Sequence, residues 1–348
     1  MRENRLNKLK EKMEEASIDA VVLFSDSDIK YFCDINVEGV FVLIKDEVKL
    51  FVSSLYFQKA QEKLKEDAVL SNSLDNIIEY LQSNKIKNIG LDFAKTTVKQ
   101  LKAFEGFNII DFSNQTLTIR AIKEKEEINN IKRAALIARN ALLKVYPTIK
   151  TGITEKELAD ELAYQLRKNG AEKEAFDTIV ASGPNAAYPH HKPTDRKIKE
   201  GEFVVIDFGA SIDGYNSDTT YTFLIGEKTD ELKELFNAVF YAQLFATEMI
   251  APGRTTAKQI DARAREELAK RNLDKYFIHS TGHGVGLDVH EFPFLNPTND
   301  MVIQPNMIFT IEPGIYIPNK LGIRLEHMVL VHENDTEVLA FAPFVEAM

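Results

Sequence analysis

A run of β-branched residues, Val204-Val205-Ile206, leads directly into an aspartate, Asp207, and a glycine turn follows at Gly209. A second aspartate, Asp218, arrives eleven residues after the first. Buried apolar strands do not normally end in acids, because a desolvated carboxylate is costly unless it is paired or holds a metal. A lone Asp at a strand end is more often a turn or cap residue. The case for chemistry therefore rests on what accompanies the pair.

The accompaniment is a second copy of the pattern. Ile206-Asp207-Phe208-Gly209 matches Ile311-Glu312-Pro313-Gly314 at an offset of 105, and Ile198 and Phe203 match Ile303 and Ile308 at the same offset. Upstream, Lys150-Thr151-Gly152-Ile153-Thr154 and Ala251-Pro252-Gly253-Arg254-Thr255 lie 101 residues apart, each between two helix-like segments. Asp218 in the first copy is answered by Glu326 in the second. Short matches recur by accident, and it is the repeated order of elements that indicates an internal duplication. Four ionised acids around one empty site would repel one another. Divalent cations resolve that conflict: an oxygen-rich set suits Mn²⁺, Co²⁺ or Zn²⁺, and bridging carboxylates suit two ions side by side. A nitrogen ligand is then expected. His283, set between Gly282 and Gly284, supplies it where the backbone can approach closely.

These residues need elements to hold them. Residues 1–16 read as an amphipathic helix with Leu6, Leu9, Met13 and Ala16 on one face. A short strand covers 19–24, and Ser25 caps a helix through Phe32. A hairpin follows over 37–44 and 48–53. Helical patterns near 54–66, 73–84 and 95–105 alternate with strands at 68–71, 86–91 and 107–112. No concentrated catalytic motif falls here, and a scaffold or oligomerisation domain is expected. Beyond a boundary near 113–118, one long helix is expected over 119–146, then a second over 155–169. Strands at 177–182, 203–208 and 215–225 precede another pair of helices, 230–250 and 257–271.

At 348 residues the chain suits two domains. The net charge of −10 argues against a nucleic-acid partner, which wants a basic footprint. No stretch approaches the roughly 18 apolar residues of a membrane span, and no secretory signal is visible. One cysteine, Cys33, excludes an intrachain disulfide and fits a reducing, cytoplasmic compartment, with the thiol buried and inert.

Taken together, Ile206-Asp207-Phe208-Gly209 through Asn216-Ser217-Asp218, Gly282-His283-Gly284-Val285-Gly286-Leu287-Asp288-Val289-His290-Glu291, Ile311-Glu312-Pro313-Gly314 and Gly322-Ile323-Arg324-Leu325-Glu326 are specific. Along its whole length the chain resembles the proline-specific metallopeptidases of family M24, in the branch of the prolidases (Xaa-Pro dipeptidases) and Xaa-Pro aminopeptidases. The resemblance implies an α+β chain: a creatinase-like α/β domain over 1–117, then a pseudo-twofold pita-bread catalytic domain over 118–348. It places the five metal ligands on Asp207, Asp218, His283, Glu312 and Glu326, with Asp218 and Glu326 bridging two ions. Glu312 would also shuttle a proton, His190 and His290 would contact substrate, and Arg324 would orient the site. The implied substrates are Xaa-Pro dipeptides or, alternatively, longer Xaa-Pro peptides, and the implied assembly is a homodimer. A creatinase-like metal-free hydrolase and a non-enzymatic binding module are opposed by the intact ligand set. The chain departs from the family pattern at His191, Tyr221, Phe294 and His327. Phe294 stands where some dipeptidases carry an arginine for the substrate carboxylate.

Overall fold

Serine and threonine caps separate helices from β-branched strands along the chain, and the computed structural model shows where each pairing leads. It describes residues 2–340. Met1 and 341–348, which the domain ranges above include, lie outside the described residues. The chain divides into two compact units, one up to Arg120 and one from Ala121 onward.

The first unit is built on a six-stranded sheet in the order Ala68–Leu70, Glu47–Val52, Val40–Ile44, Ala20–Leu23, Asn88–Leu91, Asn108–Asp111. Val40–Ile44 and Glu47–Val52 form the expected hairpin. Ala20–Leu23 pairs in parallel with Asn88–Leu91, which pairs in parallel with Asn108–Asp111. Such central strands are buried on both faces, which is why Ala20-Val21-Val22-Leu23 is apolar without alternation. The Ser25 hydroxyl accepts from the Asp28 N–H at 3.1 Å and caps the Asp26–Cys33 helix. The opening helix, Arg2–Glu15, buries Leu9 and Met13 as expected, but Leu6 and Ala16 only partly. Arg5 is buried in their place: it donates to the Tyr31 carbonyl at 2.9 Å and lies 4.1 Å above the Tyr31 ring.

The second unit repeats itself. Helices Lys125–Val145 and Glu155–Lys168 precede the sheet Ile179–Ser182, Phe203–Phe208, Thr219–Leu224. Helices Asp230–Glu248 and Ala257–Ala269 precede the sheet containing Gly282–Gly284, Ile308–Ile311 and His327–Val331. The inter-helix turns are built alike. Gly152 has φ 96° and its N–H donates to the Ile198 carbonyl at 2.9 Å; Gly253 has φ 72° and its N–H donates to the Ile303 carbonyl at 2.8 Å. Thr154 and Thr256 then form equivalent capping boxes with Glu157 and Gln259. Thr154 thus answers to Thr256, not Thr255, because the second turn carries one extra residue. Each half has its own apolar core, around Leu142, Leu158, Val204 and Ile206 in the first and Phe236, Ile260, Phe309 and Ile311 in the second.

The single helix expected over 119–146 is interrupted. Ser113–Ala121 ends before Ile122, and Lys125–Val145 begins afresh with a capping box between Glu124 and Glu127. Tertiary contacts outweigh helix propensity at the break. Ile122 forms a bridge to Met307, and the fully buried Lys123 Nζ sits 2.7 Å from Glu291 Oε1.

Candidate metal centre

The pairing of the two strand hairpins decides where the acids meet. Thr220 lies directly opposite Asp207 across the Phe203–Phe208 and Thr219–Leu224 pair. Each half inserts a small hairpin between its two acids. Ala210–Ile212 with Tyr215–Asn216 separates Asp207 from Asp218, and Gly314–Ile317 with Leu321–Arg324 separates Glu312 from Glu326. The Glu326 N–H donates to the Thr220 carbonyl at 3.0 Å, and the Thr220 hydroxyl donates to Glu326 Oε2 at 2.7 Å. One threonine of the first half thereby seats an acid of the second.

His283 enters from the Gly282–Gly284 strand. A Cβ on Gly282 would fall 1.9 Å from the Thr310 carbonyl oxygen, and one on Gly284 would fall 2.3 Å from that of Phe292. Only a chain without side chains at both flanks packs this closely. His283 Nδ1 lies 3.1 Å from the Gly284 carbonyl and donates to it, so Nε2 is the ring nitrogen turned to the acids. That Nε2 faces Glu312 Oε1 at 3.2 Å and Asp218 Oδ2 at 3.7 Å. Potential ligand atoms of Asp207, Asp218 and Glu326 lie within 4.8 Å of one another, and so do those of His283, Glu312 and Glu326. His290 joins Asp218 and His283 in a third such group, its ring 4.2 Å from that of His283.

The electrostatics describe a site that holds too much negative charge for its burial. Burial, followed by the charges of Glu326, Asp207 and Glu312, pushes the Asp218 carboxyl well above the usual carboxylate range. Burial with the charges of Glu312 and Asp207 does the same to Glu326. Glu312 goes the other way: burial opposes its ionisation, but the hydrogen bond and charge of His283 hold it down at about 2. His283 is raised in return, its own burial outweighed by Glu312. Asp207 Oδ1 is buried with no hydrogen-bond partner among the described residues, while Oδ2 takes a 2.5 Å contact from Arg324. An orphaned buried carboxylate oxygen, two carboxyls driven toward neutrality and an imidazole nitrogen that can exchange its proton for a metal together fit divalent cations. The residues present thus match the expected cofactor class.

A further set of residues braces these five. Arg324 Nε donates to the Thr220 hydroxyl at 3.1 Å and Nη1 to the Tyr316 hydroxyl at 2.7 Å. His279 Nε2 lies 2.8 Å from that same hydroxyl, and its Nδ1 is 4.0 Å from Glu312 Oε2. A chain of contacts therefore runs from Asp207 through Arg324, Tyr316 and His279 to Glu312. The sequence pattern singles out neither Tyr316 nor His279. Neither sits in an informative motif, and only the fold brings them beside the acids.

All eight site residues expected from the sequence line one cleft of about 430 Å³, a size suited to a small ligand. His190 reaches it on the loop after Ser182, and that loop is held by Glu155. The fully buried Glu155 carboxylate takes the Ser182 N–H and hydroxyl, both at 2.8 Å, and Asn185 Nδ2 at 3.1 Å. It also takes His191 Nε2 at 2.9 Å and the Thr194 N–H and hydroxyl at 3.1 and 2.7 Å. These donors outweigh its burial and keep its carboxyl below the usual range. The departure at His191 thus has a structural use. His327 likewise has a partner, Thr247 Oγ1 at 3.0 Å. Tyr221 stacks near Phe223 with ring centroids 6.3 Å apart. Phe294 lies outside the cleft lining.

Residues 129–333 match the profile described as metallopeptidase family M24, and residues 5–122 match the creatinase/prolidase N-terminal domain. Over 340 residues the chain is 38% identical to a Xaa-Pro dipeptidase from Pyrococcus furiosus, spanning 96% of this chain and 97% of that one. A solved Xaa-Pro dipeptidase from Bacillus anthracis superposes with a TM-score of 0.93 at 33% identity, over 99% of this chain and 98% of that one. An X-Pro aminopeptidase from Thermotoga maritima superposes with a TM-score of 0.88 at 34% identity, over 97% of each. These matches bear out the expected architecture, a creatinase N-terminal domain followed by a family M24 catalytic domain.

Proposed function

The chain belongs to metallopeptidase family M24, and from that premise we propose that it hydrolyses the bond between an N-terminal residue and proline, chiefly in dipeptides. The observation that carries this reading is the convergence of Asp207, Asp218, His283, Glu312 and Glu326 with His190 and His290 in a single cleft. Asp207, Asp218, His283, Glu312 and Glu326 would hold two divalent ions, with Asp218 and Glu326 each in two of the three candidate ligand groups. Mn²⁺ or Co²⁺ suits the oxygen-rich set, and Zn²⁺ is compatible with it. When bound, the ions supply Lewis acidity and a nucleophile at neutral pH.

The chain's own residues do the rest. Glu312, held ionised beside His283, accepts the nucleophile's proton and delivers it to the leaving imino nitrogen. His190 and His290 hold the substrate and donate to the oxygen that gains charge as the carbonyl becomes tetrahedral. Arg324 fixes Asp207 and acts through it. The first unit serves as scaffold and oligomerisation domain of a cytoplasmic homodimer. The single cysteine, buried and with its thiol pushed up to about 12, accords with a reducing compartment.

The test is metal analysis combined with turnover of Xaa-Pro and Xaa-Pro-Yaa peptides by the Mn²⁺- or Co²⁺-loaded protein. Faster cleavage of the dipeptide is expected. The second reading, a Xaa-Pro aminopeptidase, is favoured by the aromatic Phe294 and by the likeness to the T. maritima enzyme, and faster cleavage of the longer peptide would establish it.

A further inference from the structure

A dipeptide differs from a longer substrate in one chemical respect at the far end of the cleft. Its proline carries a carboxylate one residue beyond the bond that breaks, whereas a longer peptide has a neutral amide there. A site that prefers dipeptides needs a cation at that place, and Phe294 offers none.

Apart from its histidines, the cleft is lined by two cations, Arg324 and Lys192. Arg324 is committed. Its donors go to Thr220, Tyr316, the Pro189 carbonyl and Asp207, and it is buried. Lys192 is exposed and makes no hydrogen bond or ion pair among the described residues. It makes no ion pair with the cleft carboxylates; Asp207 and Glu312 face Arg324 and His283, and Glu326 takes the Thr220 hydroxyl. Asp177, also on the lining, makes no ion pair with it.

The mount of Lys192 is rigid although its side chain is free. Glu155 holds His191 immediately before it and Thr194 two residues after it, and Pro193 lies between. The same carboxylate fixes Ser182 and Asn185 at the start of the loop. A fixed backbone lowers the ordering cost when the ammonium engages a ligand.

Resting on the Xaa-Pro reading above, we infer that Lys192 binds the C-terminal carboxylate of the substrate and makes the cleft selective for dipeptides. An ammonium–carboxylate hydrogen bond is stronger than one to an amide oxygen, so the preference follows from charge. Lys192, on the cleft lining, would supply the cation that Phe294 cannot.

The experiment measures kcat/KM of the metal-loaded protein and its Lys192→Met and Lys192→Arg variants on Ala-Pro and on Ala-Pro amide. Lys192→Met is expected to lose about tenfold or more on Ala-Pro, mainly through KM. Its rate on the amide stays unchanged, and Lys192→Arg keeps most of the preference. Equal losses on both substrates, or no loss on Ala-Pro, overturn the assignment. Binding of L-proline and prolinamide by calorimetry gives a readout that needs no turnover. Weaker proline binding in Lys192→Met with prolinamide unaffected supports the assignment, and equal proline binding in both proteins overturns it. Should the wild type cleave neither peptide while proline binding still depends on Lys192, the Xaa-Pro reading fails and the carboxylate site stands.

Discussion

The two halves of the catalytic unit share a frame and differ in what they attach to it. Each has two helices, a glycine turn with positive φ, a capping box and a strand pair that delivers two acids with a small hairpin between them. In the first half Asp207 has no cation of its own, and its partner Arg324 comes from the second. In the second half Glu312 is accompanied by His283 and, at longer range, His279. The backbone repeat therefore sets where carboxylates arrive, while the side chains around them set how readily each ionises. Duplication alone would give a symmetric, self-repelling acid cluster. The asymmetry of histidine and arginine holds one acid, Glu312, ionised and leaves two, Asp218 and Glu326, pushed toward neutrality.

The largest expected effect comes from breaking the join between halves. Asp218→Ala or Glu326→Ala should abolish peptidase activity and strip bound metal, because each belongs to two of the three candidate ligand groups; metal analysis beside the rate assay checks this. His290→Ala should cost about 10² in kcat while leaving most of the metal bound. Metal loss equal to that of Asp218→Ala would erase the division between ligand and substrate contact. Arg324→Met leaves the acid of the first half without its borrowed cation, and metal affinity should fall about 10- to 100-fold in competition with a chelator.

Stability against pH sharpens the comparison further. Asp218 and Glu326 have raised carboxyl pKa values, from burial and neighbouring acids. Their contribution in the metal-free protein is full below the ordinary carboxylate range and is lost as pH rises through the raised values. Glu312, held at about 2 with His283 outweighing burial, contributes oppositely: its share is present above the ordinary range and fades as pH falls toward that value. The melting temperature of the metal-free protein should therefore decline as pH rises above the ordinary carboxylate range, and added metal should restore most at the alkaline end. A metal-induced gain independent of pH would contradict the charge-crowded site. The smallest effect is expected for Thr220→Val, which removes one hydroxyl from Glu326 and Arg324. A loss of roughly 1 kcal/mol in stability, read by denaturant unfolding, is the expected scale.

The periodic parts of the fold were legible because their signals are local. Hairpin, caps and helices of the first unit lie within a few residues of where the pattern places them, and the returning strand read over 215–225 proves to be two pieces with Asp218 between them. The helix read over 119–146 failed at Ile122-Lys123-Glu124, where a bridge and a buried ion pair with residues far along the chain override a helical pattern. Arg5 departs from the amphipathic reading for a similar reason, since the Tyr31 carbonyl and ring, far along the chain, receive its buried guanidinium.

By itself the sequence determined which acids and which histidine belong to one frame, because duplication writes the same element order twice and strand ends fix carboxylates by register. It also determined the caps and turns, whose chemistry is complete within four or five residues. Tertiary structure alone decided what surrounds those acids. Tyr316 and His279 became part of the site, Glu155 became the anchor of the His190 loop, and Asp207 found its cation in the opposite half. Such contacts join residues up to more than a hundred positions apart. Ionisation and hydrogen bonding depend on distance in space, and no local pattern encodes that distance.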